Sequence, residues 1–222
     1  MLRIAFPAWT AAFSERADGD LRMSARTAAE PIEQVQARLL DELGVASIVV
    51  GRQVHGTDVI VADDALSGYR VAASEGDAVA TTDAGVAAAV HVADCVPLAI
   101  GGPGAVAALH CGWRGLAGGI VAEGVRVLRE LGVEGELQAA IGPGAGGCCY
   151  ETGEEVREIF ARYRASSGRL LDLKAVAATQ LREAGVAAIE DPGLCTICDE
   201  RYFSHRRNGA ATGRQGGFAW LR

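Results

Sequence analysis

From Val86 to Leu131 the chain runs through apolar segments separated by short polar or glycine-rich breaks, and few folds can use such a stretch. Val86 to Val92 is apolar but for His91 and ends at Ala93-Asp94-Cys95. Leu98-Ala99-Ile100 and Ala105 to Leu109 flank the turn Gly101-Gly102-Pro103-Gly104. Short apolar runs bounded by glycine and proline read as strands. After Arg114 the period changes, because Leu116, Ile120, Val121, Val125, Leu128 and Leu131 recur at helical spacing. That pattern predicts a helix from near Gly115 to Gly132. Strands feeding directly into a helix point to a mixed α/β domain with helices packed outside the sheets.

The rest of the chain fits this class. Ile32, Val35, Leu39, Leu40 and Leu43 recur at three and four residues, with Gly44 as the stop, so an amphipathic helix is expected over Pro31 to Leu43. Ser47 to Val50 and Asp58 to Val61 read as strands on either side of Gln53-Val54-His55-Gly56, which places His55 at a strand edge. Leu137 to Ile141 is a short strand. Thr152 to Tyr163 is a polar helix with Val156, Ile159 and Phe160 inward, and Asp172 to Ala184 is another helix. Phe218 to Leu221 reads as a terminal strand. No repeat, linker or low-complexity tract interrupts residues 1–222, so a single domain is expected.

Composition excludes some functions. Half the residues are apolar, which is ample for a core, and the net charge is −7 with Lys174 the sole lysine. That balance argues against a nucleic-acid-binding surface. No uncharged apolar stretch of about 18 residues appears, and Met1 to Thr10 lacks a basic start and a long apolar run, so neither a membrane span nor a secretion signal is expected. The expected location is cytoplasmic, where six cysteines serve metal binding, catalysis or packing more readily than disulfides.

Chemistry concentrates in Leu109-His110-Cys111-Gly112-Trp113-Arg114-Gly115, with Ala93-Asp94-Cys95-Val96-Pro97 and Gln53-Val54-His55-Gly56 upstream. His55, Cys95 and His110 make two imidazoles and one thiolate, the kind of set a catalytic zinc site uses when a fourth position stays open. Such a site lowers the pKa of a bound water towards about 7. Arg114 stands at the mouth of the helix expected near Gly115, where a guanidinium and a helix N-terminus together suit a phosphate or carboxylate; a plain surface arginine is the alternative. Asp77 and Asp94 are candidates to orient ligating imidazoles or move protons, or simply to satisfy turn donors.

These blocks, followed by Ile141-Gly142-Pro143-Gly144, Cys148-Cys149-Tyr150-Glu151 and the tail Tyr202 to Arg207 with Thr212-Gly213-Arg214-Gln215, resemble the YfiH-like family. That family also goes by laccase-domain or multicopper polyphenol oxidase, and by purine nucleoside phosphorylase or peptidoglycan editing factor. The resemblance runs from about residue 51 to the end; residues 1–46 are less family-typical, with Phe13 to Asp20 in place of the usual N-terminal turn. It implies a layered α/β/β/α core, His55, Cys95 and His110 as metal ligands, and Cys95, His110 and Arg114 as the catalytic set. It further implies a Zn2+-dependent purine nucleoside phosphorylase with adenosine deaminase activity, acting on nucleoside and phosphate. It also brings Arg206, Arg207 and Arg214 towards the same pocket.

Other readings stay open. The family's copper label meets a chain with four histidines, His55, His91, His110 and His205, too few for a multicopper oxidase, so copper is at most held at the same three ligands. Peptidoglycan-precursor editing by an amidase, a metal-free cysteine hydrolase using Cys95 and His110, and a non-enzymatic zinc-stabilised interaction module are the alternatives. Cys111, Cys148 and Cys149 are expected as small buried packing residues. Cys195-Thr196-Ile197-Cys198 has zinc-knuckle spacing, but no second pair follows it, so no structural zinc is expected there.

Overall fold

A computed structural model describes residues 1–22, 30–63 and 67–222. Its strands are β1 (Leu2–Ala5), β2 (Trp9–Phe13), β3 (Ser47–Arg52), β4 (Val59–Ala62), β5 (Gly68–Glu75), β6 (Ala78–Thr81), β7 (Val86–Val92), β8 (Val96–Gly102), β9 (Ala105–Cys111), β10 (Gln138–Ile141), β11 (Ser166–Ser167), β12 (Leu170–Leu171), β13 (Ala188–Glu190) and β14 (Gln215–Leu221). The helices are α1 (Ile32–Leu43), α2 (Trp113–Gly118), α3 (Ile120–Glu130), α4 (Glu154–Ile159), α5 (Leu173–Glu183) and α6 (His205–Asn208). Two six-stranded mixed sheets result, ordered β1-β2-β14-β7-β3-β5 and β13-β10-β8-β9-β6-β4.

The layers follow from which face each strand hides. Val49, Val86, Ala88, Val90, Val106 and Ala108 meet between the two sheets. On the outer face of the first sheet, Ala87, Ala89 and Phe218 pack under Val35, Leu39 and Leu43 of α1. On the outer face of the second, Leu98 and Leu109 pack under Ile120 and Leu128 of α3 and Val176 and Leu181 of α5. Because β7, β8 and β9 are covered on both faces, they carry nearly unbroken apolar runs instead of alternation. The arrangement is the α/β/β/α stack that the resemblance implies.

Local departures have local causes. The helix expected from Gly115 to Gly132 is two, since Gly119 takes a left-handed φ of 92° that ends α2 and starts α3. The segment 152–163 holds only α4 and a single turn of 3-10 helix over Ala161–Tyr163. Val156 and Phe160, four residues apart, are its buried pair, while Ile159 is exposed and not inward. Among the described residues, no helix is long and apolar enough to cross a membrane.

Candidate active site

At one end of the sandwich, where β3, β7 and β9 finish, a cavity of about 830 Å3 opens, and His55, Cys95 and His110 lie on its wall. Three different backbone devices bring them there. His110 is the penultimate residue of β9, paired with Pro97 of β8, and Cys95 sits in the turn entering β8. His55 is not on a strand edge as the sequence suggests; it occupies the loop between β3 and β4 with a left-handed φ of 63°. A conformation so costly for a residue with a side chain persists only where the surroundings impose it.

Asp77 imposes it. Its fully buried carboxylate accepts the backbone N–H groups of Val54 (2.8 Å), His55 (2.9 Å) and Gly56 (2.8 Å), and also Nδ1 of His110 at 2.6 Å. One group thus fixes the loop carrying His55 and the ring of His110. With Nδ1 committed to Asp77, Nε2 is the free ring nitrogen of His110. The donor atoms of His55, Cys95 and His110 all lie within 4.8 Å of one another, and among the described residues no fourth His, Cys or carboxylate joins them. The set fits zinc by its chemistry, two borderline nitrogens and a soft sulfur with one position open. Space fits as well: a Cβ on Gly112 would lie 3.1 Å from the His55 ring and 3.2 Å from Cys95 Sγ, so only glycine leaves the cluster clear.

The electrostatics reinforce the grouping. Burial opposes a charge on Cys95, but His110 and His55 beside it outweigh that and draw the thiol down to about 6. Burial likewise opposes protonation of His110, which the Cys95 thiolate and Asp77 outweigh. The two shifts run in opposite directions and each favours the charged form of its group, a thiolate beside an imidazolium. Cys111, the next residue along β9, points the other way into the core; burial, then the charges of Cys95 and Asp77, push its thiol far up, and it is the packing residue expected.

Arg114 lines the cavity from the first turn of α2. That helix is only six residues long, so the positive charge it presents to the cavity is the guanidinium's and not that of a long helix dipole. It lies 4.3 Å over the Trp113 ring, and among the described residues it forms no ion pair. Arg22, Arg52, Arg206 and Arg214 also line the cavity; Arg22 and Arg52 are signals that sequence reasoning missed, since neither lies in a motif. Arg207 does not join them, because its guanidinium donates to the carbonyls of Thr196, Ile197 and Tyr202. Asp94 binds no imidazole either: its carboxylate accepts from Thr196 Oγ1 at 2.7 Å and the Arg206 N–H at 2.6 Å. The other two histidines also line the cavity without joining the three donors, His91 bonded to Tyr69 Oη at 2.5 Å and His205 at the start of α6.

Two of the cysteine expectations are corrected. Cys148 is exposed and Cys149 partly so, and neither packs in the core. Both instead group with Cys195 and Cys198, so the second pair that the zinc-knuckle spacing lacks in the sequence after it is found before it.

The profile of the multi-copper polyphenol oxidoreductase laccase family matches residues 12–222. The chain belongs to this family. The match takes in residues 12–46, which the sequence motifs alone leave outside. Among its relatives, a purine nucleoside phosphorylase of Corynebacterium glutamicum is 39% identical over 197 residues, covering 83% of this chain and 79% of the relative. A purine nucleoside phosphorylase of Streptomyces coelicolor is 39% identical over 191 residues, 81% of this chain and 78% of the relative. In structure the chain is similar to YfiH of Bacillus licheniformis, with a TM-score of 0.86 at 27% identity over 96% of this chain and 93% of that one. YlmD of Geobacillus stearothermophilus gives 0.82 at 30% identity over 98% and 93%. Among the described residues, His91 and His205 belong to no group of three metal-capable side chains.

Proposed function

We propose that the cavity is the active site of a zinc-dependent purine nucleoside phosphorylase that also deaminates adenosine. The observation that carries this reading is the meeting of the His55, Cys95 and His110 donors with Arg114, which has no ion pair among the described residues, in one cavity that Arg22, Arg52, Arg206 and Arg214 also line. A chain with a net charge of −7 concentrates cations at this place, which suits inorganic phosphate as co-substrate. The names of the relatives support the same choice. His55, Cys95 and His110 would hold the zinc, which would supply Lewis-acid chemistry to the cavity.

The chain's own residues then divide the work. Arg114, exposed and without an acidic partner among the described residues, clamps phosphate through its two-pronged edge. Asp77 keeps His110 oriented with Nδ1–H held away from the cavity. Trp113 and Tyr150 line the cavity and offer ring faces to a purine. In phosphorolysis the ribose C1′–N9 bond breaks as a phosphate oxygen bonds C1′, and the departing base takes up a proton. In deamination a water oxygen replaces the C6 amino group, which leaves as ammonia. The test is zinc-loaded protein incubated with inosine or adenosine, with and without phosphate, and chromatographic analysis of base and sugar phosphate. Base release that requires phosphate and tracks zinc occupancy is expected; none from fully zinc-loaded protein overturns the reading.

A second reading is favoured by the thiolate–imidazolium pair: Cys95 as nucleophile and His110 as its partner, without metal. Full turnover in verified metal-free protein, or a covalent substrate adduct on Cys95, would establish it in place of the first. Copper at the same three donors is a further occupant, which elemental analysis distinguishes from zinc.

A further inference from the structure

We propose that Cys148, Cys149, Cys195 and Cys198 form a second zinc site, a tetrathiolate, separate from the cavity and pinning two loops of its wall. The four Sγ atoms lie within 4.8 Å of one another in a group that shares no member with His55, Cys95 and His110. Zinc–sulfur bonds of about 2.3 Å at tetrahedral angles set sulfur–sulfur edges of about 3.8 Å. Cys148 to Cys198 already measures 3.6 Å. Cys149 to Cys198 measures 2.8 Å, which is longer than a disulfide bond of about 2.05 Å and must open by about 1 Å, a change that partly exposed side chains make by rotation about χ1.

The backbone is arranged around sulfur. The Cys148-Cys149 turn follows β10, the Cys195-Thr196-Ile197-Cys198 loop follows β13, and an isolated parallel bridge between Gly144 and Cys195 joins them. Cys195 Sγ accepts the Gly146 N–H at 3.2 Å, which ties the Cys195 loop to the turn that carries Cys148 and Cys149. Gly146 eases this approach: a Cβ there would stand 3.1 Å from Cys195 Cβ and 3.2 Å from Cys148 Sγ, and one of them would have to give way. With four thiolates and no oxygen ligand, the set selects a soft or borderline cation over magnesium or calcium.

The site reaches the cavity through its neighbours. Tyr150, next to Cys149, lines the cavity with the Arg206 guanidinium 5.0 Å over its ring. Thr196, inside the Cys195–Cys198 loop, donates to Asp94, the residue before Cys95. Metal in the tetrathiolate therefore holds the wall that carries Tyr150 and Arg206.

The decisive experiment is metal analysis of protein purified under reducing conditions with zinc, together with His110→Ala and Cys198→Ser. The parent is expected to hold one zinc at each of the two groups, and each variant to hold one zinc fewer than the parent. Cobalt substitution in His110→Ala, where all four thiols are intact, is expected to give the intense thiolate-to-cobalt absorption of a four-sulfur site. A parent with one zinc that His110→Ala loses completely overturns the second site and leaves the proposed function standing. Zinc retained in His110→Ala and lost in Cys198→Ser supports it whatever the cavity binds. Absence of thiolate-to-cobalt absorption in His110→Ala, or peptide mapping that recovers Cys198 linked to Cys149 or Cys148 in freshly purified protein, also overturns it. The cobalt measurement stands even where Cys198→Ser fails to fold.

Discussion

Asp77 and His110 are joined twice: the His110 ring donates Nδ1–H to the Asp77 carboxylate at 2.6 Å, and the His110 backbone N–H donates to the Asp77 carbonyl at 2.7 Å. The second bond locks the end of β9 to the start of β6, so the first needs no side-chain search. Since the same carboxylate also holds the His55 loop, its replacement acts on two of the three candidate ligands together.

Asp77→Asn keeps the shape but leaves one oxygen for four donors. Metal affinity at the cavity, read by competition with a chromogenic chelator, is expected to fall about 10- to 100-fold. Denaturant melts of the metal-free protein are expected to show a loss of about 1–3 kcal/mol from the unpaired N–H groups. Unchanged affinity would separate Asp77 from ligand orientation.

Arg114→Lys retains charge and loses the fork. A charged hydrogen bond is worth about 1.5–3 kcal/mol, so the KM for phosphate is expected to rise by about 10- to 100-fold while zinc content stays at the parental level. Steady-state rates at limiting phosphate decide this, and parental kinetics would remove Arg114 from the clamp.

Cys95 is expected to resist iodoacetamide in zinc-loaded protein and to react quickly at neutral pH after chelation, because its thiol is drawn down to about 6. Cys111 is expected to stay unmodified in both states, buried with its thiol pushed up. Peptide mass spectrometry resolves the two sites. Equal labelling of Cys95 with and without zinc would argue against its being a ligand.

His91 supplies an acid-sensitive contribution to stability. Burial, then Arg214, lowers its pKa to about 4, and it faces Tyr69 and Gln53 through hydrogen bonds. The unfolded chain takes up this proton at about 6.5. Between about 6.5 and 4 the unfolded state thus binds more protons, so stability falls as pH drops through that window and levels off below it. The whole contribution is no more than about 3 kcal/mol. Urea midpoints of the parent and His91→Gln at pH 7 and pH 5 measure it: the variant is expected to lose less stability on acidification than the parent.

Much of this was legible in the chain. The spacing of Val35, Leu39 and Leu43 with Gly44 after them marks α1, and the unbroken apolar runs of β7 to β9 mark strands covered on both faces. His55, Cys95 and His110 could be grouped from their motifs. What could not be read depends on contacts far apart in sequence. The left-handed turn at His55 exists because Asp77 reaches it from another strand. The break at Gly119 competes with a helical pattern that continues through it, and Ile159 satisfies the helical period yet lies on the wrong flank of a helix shortened to six residues. The four-cysteine group escapes a spacing search because its adjacent pair precedes the knuckle and meets it through the Gly144–Cys195 bridge.

Along β9 the side chains alternate strictly: Val106 and Ala108 face the opposite sheet, while Ala107, Leu109 and Cys111 face the helices. His110 keeps the first parity and emerges where the sheets part, its place set by the pairing of Pro97 with His110 and Val96 with Cys111. A slip of one residue in that hairpin would turn Cys111 to the cavity and bury the imidazole under α3. On the proposed function, ion capture at the cavity would therefore work as a checksum on sheet assembly, readable as a single signal during refolding: a chain that contains every candidate ligand but mispairs this hairpin would stay mute.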